Sequence, residues 1–290
     1  MGASMDRGRA ESEGRRHLLT LVRQALGTQP TEAAPARRLS DIGEECFVRG
    51  LMRHRVAALL HPALEDGRLQ GWRLPVDAPG LCRQAYFGVL RRNVVALELG
   101  EALLQRTDEA GLRAMPRGPW AWLRGHRPLY ADPGVRPVDR LVVNASREDH
   151  PMLRDLARSF GFDRVRSDGA LVRHIGRVEL LLDLDAAPPP RKQAAPFVDA
   201  VSALAALRFR RWLGLVDVHC FVASGAPLGV ALAEADVRGL ARPARAALRL
   251  ARDLLSTPVP EEALGLAHPE HRPGSAHRVT SLAHAARENP

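Results

Sequence analysis

The chain has 290 residues and a mass of 31.7 kDa, and at 46% hydrophobic and 26% charged its composition is globular, which argues against a disordered middle. Its 42 basic and 33 acidic residues give a formal charge of +9, and every basic residue except Lys192 is arginine. The arginines are spread along the chain with no aromatic-interleaved block, so RNA is admitted as a partner class by net charge alone.

Cys46, Cys82 and Cys220 are odd in number and far apart, which argues against a disulfide framework or a cysteine-based zinc site. The N-terminus lacks an apolar export segment, and no run approaches the roughly 18 apolar residues that would span a bilayer. The expectation is a cytoplasmic protein with no membrane partner.

In chain order, residues 1–14 are polar and read as a disordered N-terminus. Leu18, Leu19, Leu21, Val22 and Ala25 recur at helical spacing and predict a helix from Arg15 to Gly27. A second helix is predicted over Ile42 to His61, closed by Pro62, and a long third one from Leu81 to about Ala110. Gly100 shares the apolar face of the third helix and marks a point of close contact. The pattern then changes. A turn and short strand end at Gly118, "RLVV" (140–143) is a β-rich run, and 150–162 is a helix stopped by Gly161. "ALVRHI" and "RVELLLDLD" flank Gly176 as a hairpin. A proline linker at 186–196 leads to helical segments near 197–222, 228–239 and 241–256, and a His-, Pro- and Arg-bearing tail from 265 reads as disordered. The fold class is α+β: a helical region at 15–110, a small mixed sheet within 111–190, a helical region at 191–264 and the tail at 265–290.

The segment "LRAMPRGPWAWLRGHRPLYADPGVRPVDRLVV" resembles the signature of an uncharacterised nucleotidyltransferase-like family within the DNA polymerase β-type nucleotidyltransferase superfamily. That signature is a Lys-Gly segment, a Tyr/Asp-Pro-Gly/Arg-Pro turn, and a strand bearing Asp-x-Asp. "LMRHRVAALL" and Asn93 on one side, and "RVELLLD", "FRRWLGLVDV" and "ALRLARDLLSTPVPEEAL" on the other, extend the likeness over residues 42–264. The resemblance implies a sheet of nucleotidyltransferase type and transfer of a nucleotidyl group from ATP or another nucleoside triphosphate to an acceptor hydroxyl on a peptide, sugar or protein, in a bacterial biosynthetic or tailoring pathway. It also implies Mg²⁺. Two strand carboxylates two residues apart share one face and hold the ion against the phosphates, and a third acid on a neighbouring strand completes the site.

Carried over residue by residue, the resemblance makes Asp139 and Glu179 the catalytic acids and metal ligands, and Arg117, Gly118 and Arg136 the nucleotide-binding residues; Asp183, four residues beyond Glu179 and so on the same strand face, is a further metal ligand that partly compensates for the missing acid. The chain also departs from the pattern. Arg117 replaces lysine, Leu181 stands where histidine is common, and the two strand-spaced partners of Asp139 are Pro137 and Leu141. A broken acidic pair implies impaired activity, and the alternative is a pseudoenzyme, a non-catalytic binding or scaffold protein that keeps the fold. Simpler roles stand beside these: an ion pair of Asp139 with Arg136 or Arg140, a turn-forming Asp132, a core role for Trp120, Trp122 and Tyr130, and a packing face around Trp212 and Asp217.

Overall fold

The computed structural model describes residues 2–29, 39–69, 71–124, 129–176, 178–187, 189–191 and 193–265. Helix α1 spans Gly2–Ala25, α2 Asp41–His54, α3 Ala57–Glu65 and α4 Ala78–Glu109. Strand β1 (Met115–Arg117) runs through Gly118 into the single-turn α5 (Pro119–Trp122), followed by β2 (Arg140–Asn144) and α6 (His150–Ser159). Strands β3 (Arg164–Val165), β4 (Leu171–Ile175) and β5 (Val178–Asp185) precede helices α7 (Ala195–Ala206), α8 (Trp212–Ala223), α9 (Leu228–Val237) and α10 (Ala241–Leu255). Among the described residues no helix is long and apolar enough to cross a membrane.

The α+β expectation holds: a small five-stranded mixed sheet is flanked by helices, in the order β1-β2-β5-β4-β3. Strand β2 pairs antiparallel with β1 and parallel with β5, and β5 continues antiparallel into β4 and β4 into β3. Alternation along the strands sorts residues onto two faces. Leu141 and Val143 of β2, Leu171 of β4 and Val178, Leu180 and Leu182 of β5 turn to one side and form a core with Leu103 of α4, Ala157 of α6 and Trp120. Arg117, Arg140, Asn144, His174, Glu179, Asp183 and Asp185 turn to the other, polar side. A second core joins the N- and C-terminal helices through Phe47, Leu60, Phe197, Trp212, Phe221 and Leu248.

The elements depart from the predicted ones chiefly in the N-terminal helix, in two helix breaks and in one added strand. Helix α1 begins at Gly2, not near residue 15, because Ala10 and Gly14 pack directly on α2: a Cβ on Gly14 would lie 2.5 Å from the Gly43 carbonyl oxygen. Small residues make that crossing, and a search for large apolar side chains passes over it. The predicted helix from Ile42 to His61 is two helices, since Arg55 adopts the left-handed conformation (φ 57°) and Val56 N–H donates back to Leu51 O. Pro62 therefore lies inside α3 instead of ending it. The predicted helical segment near 197–222 likewise breaks, at left-handed Arg208 and Phe209, into α7 and α8, and β3 is an additional edge strand. The predicted tail, beyond Gly265, lies outside the described residues, as does Lys192.

Candidate functional site

Strand β1 ends at a glycine for a backbone reason. Gly118 has φ 72° and ψ −162°, a combination that side chains with a Cβ avoid, and it turns the chain from β1 into α5. Its N–H donates to Asp199 Oδ2 of α7 at 3.0 Å. The neighbouring Arg117 guanidinium also binds Asp199, and reaches Asp185 Oδ2 of β5 at 2.5 Å. Arg117 is 14% exposed and Asp199 10%. Burial pushes the Asp199 carboxyl above its ordinary range, although Arg117 and the Gly118 amide oppose that shift.

One strand further in, Arg140 opens β2 on the same polar face. Register sets it beside Leu181 and two residues from the level of Asp183, which it binds at 2.9 and 3.1 Å while its second nitrogen holds Asp168 at 2.7 Å. These bonds raise the Arg140 pKa above its ordinary value, the Asp183 bond being the largest cause. Arg117 aligns with Val142, and Val142 with Asp183, so Arg117, Gly118, Asp183, Asp185, Asp199 and Arg140 form one contiguous patch.

The remaining predicted site residues lie elsewhere. Glu179 is on the same face as Asp183 but four residues, or roughly 13 Å, nearer the start of β5. It stands 3.6 Å from Arg166 and 3.8 Å from His174. Asp139 precedes β2 and is gripped by both guanidinium nitrogens of Arg55, one at 2.7 Å, with Arg92 of α4 at 3.7 Å. Burial acts against its charge, but the Arg55 bonds and the charges of Arg55, Arg136 and Arg92 hold its carboxyl below the ordinary range. Asp139 is thus held by Arg55, just beyond α2, and by Arg92 of α4, and its ion pairs differ from the Arg136 or Arg140 partner read from the sequence. Asp139, Glu179 and Asp183 do not converge.

Arg136 is 8% exposed and is taken up by Asp217 of α8, 2% exposed, through bonds of 2.7 and 2.9 Å. Tyr130 donates to the same carboxylate at 2.5 Å, and the guanidinium lies over the Trp122 ring. The preceding turn is fixed by Asn93 of α4. Its Nδ2 donates to Pro133 O at 2.6 Å and Arg136 O at 2.7 Å, and its Oδ1 accepts from Val138 N–H at 2.9 Å. Asp132 caps its own turn by accepting from Gly134 N–H at 2.7 Å, as the sequence predicts. Trp120 and Trp122 are buried in the two cores.

Magnesium, which the resemblance implies, is held by one or two carboxylates together with water and substrate phosphates, and those carboxylates need oxygens free to face it. On the polar patch Asp183, Asp185 and Asp199 already accept from guanidinium groups. Among the described residues no three His, Cys, Asp or Glu side chains gather in the manner of a metal site. As these side chains stand, they do not fit the ion. Sequence reasoning passed over Asp185 and Asp199, yet the signal existed: Asp183-Leu184-Asp185 is itself a strand-spaced acidic pair, and Asp199 is a lone carboxylate in the apolar run "PFVDAV".

No family model matches the chain, and no curated protein or solved structure matches it.

Proposed function

We propose that the chain is a nucleotidyltransferase-like protein without catalytic power, a pseudoenzyme whose polar sheet face serves as a rigid element of a binding or scaffold protein. The observation that carries this reading is that the acids and arginines of that face are paired with one another. Arg140 is bound to Asp183, and Arg117 to Asp185 and Asp199. The Arg117 guanidinium and Gly118 N–H are the groups that the resemblance assigns to phosphate. Both face the Asp199 carboxylate, so an internal anion fills the seat. Where the resemblance asks for an acid on β2, the side chain turned toward Asp183 is a cation, Arg140.

The second reading is a live transferase taking ATP or another nucleoside triphosphate with Mg²⁺ to a peptide, sugar or protein hydroxyl. It is favoured by β2 lying between β1 and β5, with a left-handed glycine at the end of β1.

Thermal unfolding with ATP, with and without Mg²⁺, separates the two. The non-catalytic reading expects no Mg²⁺-dependent gain in midpoint. A Mg²⁺-dependent stabilisation by ATP that Asp183→Asn removes would overturn it in favour of the transferase.

A further inference from the structure

Away from the sheet, one group of cations lacks matching anions. Arg53 near the end of α2, Arg55 just beyond it, and Arg210 and Arg211 just before α8 line, with Met52, an open cavity of about 550 Å³. Arg55 is neutralised by Asp139. Among the described residues Arg53, Arg210 and Arg211 make no ion pair, and no carboxylate lines the cavity. The arginines also act on one another. Arg53 is held below its ordinary pKa by burial and then by the charges of Arg15 and Arg210. Crowding like charges in one concavity is unfavourable unless an anion relieves it.

The backbone supports the same reading independently. Arg55, Arg208 and Phe209 have φ of 57°, 48° and 56°, values that cost non-glycine residues free energy and that gather at ligand clamps. Arg208 and Phe209 close the C-terminus of α7 through bonds to Ala205 O and Leu204 O, a position where glycine is usual. Here the strained turn sends Arg210 and Arg211 toward Arg53. Outside the cavity lining, His54 stacks on Trp212 with ring centroids 4.1 Å apart and ties the end of α2 to the start of α8, beside the arginines these elements carry.

We propose that this cavity binds a small phosphate-bearing molecule, its di- or triphosphate group gripped by Arg53, Arg210 and Arg211 beside the Arg55–Asp139 pair. Charge count decides the class, because arginine is this chain's general cation and its mere presence discriminates little. Three unpaired guanidinium forks match the charge and bidentate geometry of a pyrophosphate better than a single carboxylate. The volume lies within the range of small-molecule sites, about 300–1,000 Å³, and Met52, 57% exposed, offers an apolar contact for the organic part. An RNA strand is a poorer fit, since no aromatic ring lines the cavity to stack a base. The inference uses none of the residues of the polar sheet face and stands apart from the function proposed above.

The test is calorimetric titration of the full chain with inorganic pyrophosphate and tripolyphosphate, without divalent metal, at physiological salt. Binding at one site is expected, with affinity falling about tenfold or more in the double variant Arg210→Ala/Arg211→Ala and partly restored by Arg211→Lys. Both residues are exposed, and an unchanged unfolding midpoint verifies that the variants fold. A nuclear magnetic resonance titration of His54 adds a readout: bound anion offsets the Arg53 charge and moves the ring's midpoint upward. Absence of binding, undiminished affinity in the double variant, or binding of single-stranded RNA where pyrophosphate fails would each overturn the proposal.

Discussion

Asp217→Ala removes the acceptor on which both Arg136 and Tyr130 depend, deep between the turn before β2 and helix α8. Taking one partner from a buried ion pair costs about 3–5 kcal/mol, because the remaining charge stays buried without an anion. The orphaned Tyr130 hydroxyl adds about 1–3 kcal/mol, but the two losses share one acceptor and do not sum fully. The expected net loss is about 4–5 kcal/mol, a large part of the roughly 5–15 kcal/mol that holds a protein folded. Equilibrium urea unfolding followed by tryptophan fluorescence measures it as a lower midpoint at unchanged slope. The double variant Arg136→Met/Asp217→Leu should recover most of the loss, since an apolar pair of similar volume leaves no charge unpaired. A cost below about 1 kcal/mol for Asp217→Ala would refute the anchoring argument. So would an Arg136→Met variant of undiminished stability that had lost nucleotide affinity, which would return Arg136 to a phosphate-binding role.

His54 is pushed from 6.5 down to about 4, first by burial and then by Arg53 and Arg15, so the unfolded chain binds more protons between those values. Its contribution is whole above pH 6.5 and is lost as pH falls toward 4, by about 3 kcal/mol. Burial lowers His17 and His219 as well and adds to the same slope; His54→Phe, which keeps a ring on Trp212, should flatten it in urea unfolding at pH 7 and 4.5. Gly100→Ala would set a Cβ 2.4 Å from Trp120 Cζ3 and is expected to cost about 1–3 kcal/mol, whereas Gly88→Ala on the same helix meets nothing within 4 Å and should gain about 0.5–1 kcal/mol, as thermal midpoints of the two variants would show. Asn93→Ala strands Pro133 O, Arg136 O and Val138 N–H together and should lower stability by about 2–4 kcal/mol; a loss under about 0.5 kcal/mol would mean that the turn before β2 holds itself.

What could be read in the sequence was what depends on neighbours along the chain. A β-rich run placed β2, two such runs flanking Gly176 placed the β4–β5 hairpin, Asp132 before Pro-Gly announced its own turn, and Gly100 on an apolar helix face marked where the Trp120 ring comes closest. Ion pairing was not readable. Asp139 meets Arg55 across 84 residues and Arg136 meets Asp217 across 81, and in a chain whose basic residues are nearly all arginine no local pattern favours one partner over another. Helix breaks at Arg55 and at Arg208 and Phe209 were hidden for a related reason, since each is a left-handed residue without the glycine that normally signals one. Periodicity tells which face a side chain takes, and tertiary geometry alone tells what waits there.

The polar sheet face shows how that distinction bears on chemistry. Asp183 and Asp185 share one face of β5, and Asp199 approaches from α7, so the fold gathers the negative side-chain charge that a divalent cation would seek. Charge so placed must be balanced. A guanidinium tethered to β1 or β2 does so with directed hydrogen bonds and no entropy of capturing an ion from solution, and its planar fork can span two carboxylates at once, as Arg117 does. The balance is incomplete at Asp199, whose carboxyl is raised by burial even beside Arg117, and two arginines stand against three acids. An incoming ion would have to displace bonds already made to Arg117 or Arg140 and then share the patch with those positive charges. The same interactions that stabilise this face therefore oppose metal binding, and the acids serve the fold in proportion as they are withheld from an ion.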